Sequence, residues 1–105
     1  MTPEEFVNCC AREKDDLLST YIDPTSESMV TKKIATLGLN AHQIETLNNI
    51  LDTALTDAFY TLLLALDGAA SIGGEQQLYK LFDKDGHELT GALEPLAYER
   101  FHNVT

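Results

Sequence analysis

Basic residues are scarce in this chain. Seven lysines and arginines stand against seventeen aspartates and glutamates in 105 residues, which gives a formal charge of −10 at pH 7. Seven of the acids fall in residues 1–28 and seven in residues 67–105. Such a charge repels phosphate backbones and anionic lipid headgroups, so we expect neither nucleic acid nor a membrane as a partner.

Cysteine is also scarce, and the two cysteines, Cys9 and Cys10, are adjacent. Neighbours in a helix do not close an ordinary disulfide loop, which excludes a disulfide framework. A secretory signal has a basic segment followed by an apolar stretch, and the N-terminus of this chain has neither in that order. The longest mainly apolar run, residues 58–66, is too short to span ~30 Å of hydrocarbon. We therefore expect a soluble protein of the cytoplasm.

A phosphate-binding loop is absent from the one glycine-rich segment, "GAASIGGE" at residues 68–75. That motif needs a lysine and then a serine or threonine where Gly74 and Glu75 stand, and it must follow a strand. The segment instead follows an apolar helical pattern. We predict that Gly68 is the C-cap of that helix and that Gly73 and Gly74 form a flexible connection.

A calcium loop is likewise absent from "DKDGHE" at residues 83–88. With Gly86 as its sixth position, Leu81 would be the first ligand and the closing glutamate would come too early. We predict a tight turn here, while weak cation binding by Asp83, Asp85 and Glu88 stays an open alternative.

Catalytic and zinc motifs are missing as well. The histidines, His42, His87 and His102, lack partners at zinc-ligand spacing, and only the fold decides whether they converge. Ser71 has no nucleophile elbow around it, and Cys10 falls on an apolar helix face. We predict no enzyme activity, no cofactor and no metal.

The length is that of one domain, residues 1–105, and the apolar content of 44% suits a folded core. Thr2 as N-cap with Pro3 behind it predicts a first helix, which ends before Asp23-Pro24. A second helix opens at Ser26 and ends at Gly38. Its predicted inward residues are Met29, Val30, Ile34 and Leu37.

The long third helix is the strongest pattern in the chain. Asn40 is its N-cap, and apolar residues recur at helical spacing as far as Asp67. Residues 58–66 are apolar on nearly every side, which indicates packing on more than one face. The predicted inward stripe is Ile44, Leu47, Leu51, Ala54, Leu55, Ala58, Phe59 and Leu62.

After Gly74 the apolar residues alternate, which is typical of a strand. A three-residue turn with Gly86 left-handed places Asp83 opposite His87 and Leu81 opposite Leu89. A short helix follows with Leu93, Ala97 and Phe101 inward. The predicted fold is α+β: three antiparallel helices with the longest at the centre, then a β-hairpin and a short C-terminal helix.

Two functional hypotheses remain for a chain with no chemical motif, besides a less favoured small-molecule site near Asp67 and His87. The first is a binding module for a basic protein, similar in size and charge to bacterial immunity-type inhibitors, although no motif carries that likeness. The second is a homo-oligomer, such as a homodimer, completed through residues 58–66. The residues predicted to contact a partner are Asp15, Asp16, Asp23, Glu27, Tyr60, Asp83, Asp85 and Glu88.

Overall fold

The computed structural model describes residues 1–102, and these residues form four helices. They are α1 (Pro3–Ile22), α2 (Met29–Ala35), α3 (Ala41–Leu66) and α4 (Leu93–Phe101). No β-strand occurs within residues 1–102, so the predicted α+β class is wrong and the fold is all-helical.

The predicted β-hairpin is replaced by a turn with isolated pairing. The Asp83 N–H donates to the His87 carbonyl at 3.0 Å, and the Leu89 N–H donates to the Leu81 carbonyl at 2.7 Å. The ladder stops there because the Leu81 N–H donates to the hydroxyl of Thr90 and because Leu89 and Thr90 turn into the interior. A two-stranded ribbon is not stable by itself, and the pairing here is limited to isolated bridges because Leu89 and Thr90 are directed into the interior.

Two helices begin as predicted, with a reciprocal cap at each start. The Thr2 hydroxyl accepts the Glu5 N–H at 3.1 Å, and the Glu5 carboxylate accepts the Thr2 N–H at 2.9 Å. Asn40 and Gln43 make the same pair of bonds, both at 2.9 Å, at the start of α3. Each pair satisfies two backbone donors that a helix start otherwise leaves free.

The end of α3 confirms Gly68 as its terminating glycine. Gly68 has φ +78°, its N–H donates to the Ala65 carbonyl, and the Ala69 N–H donates to the Leu64 carbonyl at 2.9 Å. These two bonds form a Schellman motif, which requires a left-handed residue at this position. The chain therefore turns sharply away from α3 here.

The second helix is shorter and more exposed than predicted. It starts at Met29 with Ser28, not Ser26, as its N-cap, because the Ser28 hydroxyl accepts the Thr31 N–H. The predicted inward residues Met29 and Leu37 are 65% and 62% exposed. The buried Thr31 hydroxyl bonds to the last carbonyls of α1, at Thr20 and Tyr21, so α2 caps the end of α1.

The helices that share the core are α1, α3 and α4, while α2 packs on α1. The prediction that α1, α2 and α3 form the bundle is therefore wrong, since the short C-terminal helix takes the place of α2. The inward positions predicted for α4 are confirmed. The core cluster consists of Val7, Ala11, Leu63, Leu93, Ala97 and Phe101.

One side of α3 stays outside this core. Of the predicted inward stripe, Ala54, Ala58 and Leu62 are exposed, which corrects that assignment. Among the described helices, α1 and α4 are the ones that pack on α3, and an apolar part of the α3 surface remains unburied. Among the described residues, α3 is the one helix long and apolar enough to cross a membrane, with a mean hydropathy of 1.2 over 18 residues, although core helices of soluble proteins meet the same criterion.

Candidate functional site

The residues predicted to contact a partner lie in separate parts of the molecule. Four exposed acids, Asp15, Asp16, Asp23 and Glu27, occupy the second half of α1 and the turn after it. We call this group the acidic end. The acids of the 83–88 turn lie at the other end of α1, because Asp83 contacts Met1. Along this helix, Asp15 and Asp16 lie about 20 Å and Asp23 about 30 Å from its first residue.

Few charges compensate the acidic end. Lys14 lies between α1 and α3, where its Nζ contacts Asp15 at 3.0 Å and Asp52 at 2.7 Å. Desolvation lowers the pKa of Lys14, but the bonds to Asp52 and Asp15 outweigh it and leave the pKa raised. Glu27 has only a 3.6 Å contact with Lys32, between two exposed side chains. Such a pair contributes little, so the surface keeps its negative charge.

Asp83 organises the second acidic group. Its carboxylate accepts bonds from the N-terminal ammonium at 2.8 Å and from the backbone N–H groups of Asp85 and His87. The ammonium, followed by the bonds from His87, holds the pKa of Asp83 well below its usual range. The carboxylate therefore fixes the turn and joins it to the start of α1.

The same turn brings together three potential metal ligands. One ligand atom from each of Asp83, Asp85 and His87 lies within 4.8 Å of the others. Both oxygens of Asp83 already accept hydrogen bonds, and His87 Nδ1 lies 2.9 Å from Asp83 Oδ2. Glu88 accepts a bond from the Thr90 hydroxyl instead. These contacts account for the cluster as a structural feature of the turn.

Tyr60 is half-buried and packs against the core, so only part of its ring is available to a partner. Its ring meets that of His102 edge to face at a centroid distance of 4.3 Å, and it lies against the core cluster. The three histidines do not converge. His42 and Tyr60, which marks the position of His102, are separated by about 27 Å along α3, and His87 is bonded to Asp83.

Asp67 has a structural role in place of the small-molecule site considered for it. Its two carboxylate oxygens accept the backbone N–H of Gly91 at 2.7 Å and that of Glu94 at 3.0 Å. Both donors belong to the start of α4, which has no side-chain cap of its own at Ala92. The carboxylate therefore joins the end of α3 to the start of α4.

Cys10 is poorly suited to nucleophilic chemistry. Burial raises the pKa of the Cys10 thiol, which keeps it in the unreactive protonated form. The sulfur of Cys9 lies 3.1 Å from the Arg12 guanidinium on an exposed part of α1.

A surface that the sequence indicated only in part, through residues 58–66, lies on the uncovered side of α3. Ile50 and Leu62 are 58% and 51% exposed, and Ile72 beside them is 40% exposed. We call these three residues, with Ala54, Asp57 and Ala58, the α3 face. Two shallow depressions of about 480 and 440 Å³ lie along it and share Asp57 as a lining residue. Because α3 is apolar on several sides, the pattern alone did not identify the side that stays uncovered.

Comparison of the chain with protein-family models, with curated proteins and with solved structures finds no match. We therefore infer the function from the chain's own surfaces.

Proposed function

We propose that this chain is a non-enzymatic protein-binding module of the cytoplasm, whose acidic end binds a basic protein partner. An immunity-type inhibitor that neutralises a basic enzyme is one protein of this kind. The binding residues are the exposed carboxylates of the acidic end. Of the acids in the 83–88 turn, Asp83 holds that turn in place.

The observation that carries this proposal is the position of the acidic end on α1. The helix has no basic residue in its last turn, and Asp23 and Glu27 follow directly behind it. Negative charge is unfavourable at the C-terminal end of a helix, where the dipole is also negative. The dipole of α1 therefore does not account for Asp23, and the exposed carboxylates of the acidic end would attract a basic surface.

The use of the other polar groups supports a role without catalysis. Asp67 caps α4, Asp83 holds the turn, and Cys10 has a raised pKa. Catalytic sites instead place a nucleophile, a base and an orienting group together around a free position. Asp67 and Asp83 are engaged with the chain's own backbone.

The proposal is tested with two variants that change the net charge equally. The first, D15N/D16N/E27Q, neutralises three residues of the acidic end, and Asp23 is left because its carboxylate accepts the Thr25 N–H at 2.9 Å. The control, E45Q/E75Q/E99Q, neutralises three exposed acids elsewhere. Each tagged protein is used to capture partners from its native cell, and the strongest partner is then purified and titrated against all three.

We expect the wild type and the control variant to bind the same basic protein in a one-to-one complex, and the first variant to bind it far more weakly. Equal weakening by both variants would indicate a response to total charge and would refute a specific acidic end. Equal binding by all three would refute the electrostatic proposal altogether.

A further inference from the structure

We infer that the α3 face binds a second copy of this chain, so that the protein is a homodimer with α3 helices paired across the interface. This inference is independent of the proposed function, because the acidic end lies on α1 and remains outside the interface. Three observations support it, namely the exposed area of the chain, the charge of the α3 face and the shape of that face.

The chain exposes more surface than a monomer of its mass needs. Its accessible surface is 7052 Å², whereas a compact monomer of 11.6 kDa exposes roughly 5,800 Å². The excess is about 1,200 Å², and a standard protein interface covers about 800 Å² of each partner. The radius of gyration of 16.1 Å also exceeds the ~13 Å of a compact chain of this length. This excess belongs to the chain as a whole, and the exposed apolar residues of the α3 face contribute to it.

The charge of the α3 face favours a second copy over a basic partner. Asp57 is the one charged residue that lines either depression among the residues described. A basic protein gains little from a surface with a single carboxylate, and it is better served by the acidic end. Two copies, each with a charge of −10, repel one another least where their surfaces carry the least charge. This face meets that condition.

The shape of the face suits pairing of identical surfaces. A two-fold dimer buries the same patch on both subunits, so the patch must hold both knobs and hollows. Ile50 lies at one depression and Leu62 at the other, on either side of Asp57. Small side chains at Ala54 and Ala58 stand between them and permit the 8–10 Å approach of two packed helices. An antiparallel arrangement lets the apolar residues of each copy enter a depression of the other.

The test is sedimentation velocity of the full chain over a range of concentrations, with two double variants. I50E/L62E places charge on the α3 face at residues that are exposed in the monomer, so the fold is not expected to change. The matched control, M29E/L37E, changes two equally exposed apolar residues that lie outside α3. Circular dichroism confirms that each variant is folded, and flotation with phosphatidylcholine vesicles examines lipid as the alternative occupant.

We expect the wild type and M29E/L37E to be dimers, and I50E/L62E to show a dimer dissociation constant weakened by about 100-fold or more. Several results would overturn the inference. They are a wild type that stays monomeric at every concentration, a dimer that I50E/L62E leaves unchanged, and a monomer that floats with the vesicles, since lipid would then cover the face.

Discussion

The carboxylate of Asp67, at the end of α3, accepts a hydrogen bond of 2.7 Å from the backbone N–H of Gly91. The two residues are 24 positions apart, and the second carboxylate oxygen accepts the Glu94 N–H. One side chain therefore closes the irregular segment between α3 and α4 and caps the start of α4. This contact places α4, which supplies half of the core cluster, against α1 and α3.

Replacement of Asp67 should therefore reduce stability. We expect D67A to lower the free energy of unfolding by about 1–3 kcal/mol, because two backbone donors lose a charged acceptor. Urea denaturation followed by circular dichroism measures this difference. E94Q is a suitable control, since it alters a side chain but keeps the same backbone donor. A D67A variant as stable as the wild type would contradict the structural role of this carboxylate.

Gly68 offers a prediction about backbone conformation. Its φ of +78° disfavours any side chain, and a Cβ there would lie 2.5 Å from Leu78 Cδ2. Leu78 is highly exposed and free to move aside, so the backbone strain should dominate. We expect G68A to cost about 1 kcal/mol of unfolding free energy, similar to G38A at another left-handed glycine with open space around it. A much larger cost that L78A does not relieve would show that the contact dominates.

The lowered pKa of Asp83 predicts a dependence of stability on acid. A carboxyl group whose pKa is lower in the folded state stabilises the fold above its unfolded pKa and loses that contribution as the pH falls. We expect the urea concentration at the unfolding midpoint to decrease in the wild type as the pH drops below about 4, and to decrease less in D83N. Urea titrations at a series of pH values compare the two proteins. Identical acid profiles would show that the bonds around Asp83 do not contribute to stability.

The contact between Lys14 and Asp52 predicts coupling between α1 and α3. The Nζ–Oδ1 distance is 2.7 Å, and the Lys14 side chain is only 13% exposed. In a double-mutant cycle of K14M, D52N and the combined variant, we expect an interaction free energy of about 1 kcal/mol. Additive effects of the two substitutions would mean that water compensates for either partner.

Local patterns predicted the ends of α1 and α3 well because the responsible contacts are close in sequence. Thr2 with Glu5, Asn40 with Gln43 and the glycine after Asp67 each act within one turn of helix. The inward residues of α4 followed from helical spacing for the same reason.

Features that depend on distant partners were not predictable. The alternation of residues 78–82 is typical of a strand, but no neighbouring surface supports one within the described part of the chain. The sequence around Thr31 does not indicate that its hydroxyl bonds to carbonyls at the end of α1. This contact places α2 over the end of α1 and leaves Met29 and Leu37 outside the core. Because α4 then completes the core, one side of α3 is left uncovered, and the α3 face could be located only in three dimensions.

The salt dependence of binding is the most direct test of whether the acidic end binds a basic protein. The affinity of the purified complex is measured by titration at increasing salt for the wild type and for D15N/D16N/E27Q. If the acidic end binds the partner, affinity falls steadily with salt in the wild type, and the affinity of D15N/D16N/E27Q depends much less on salt. A wild-type affinity that does not change with salt would refute electrostatic binding through the acidic end.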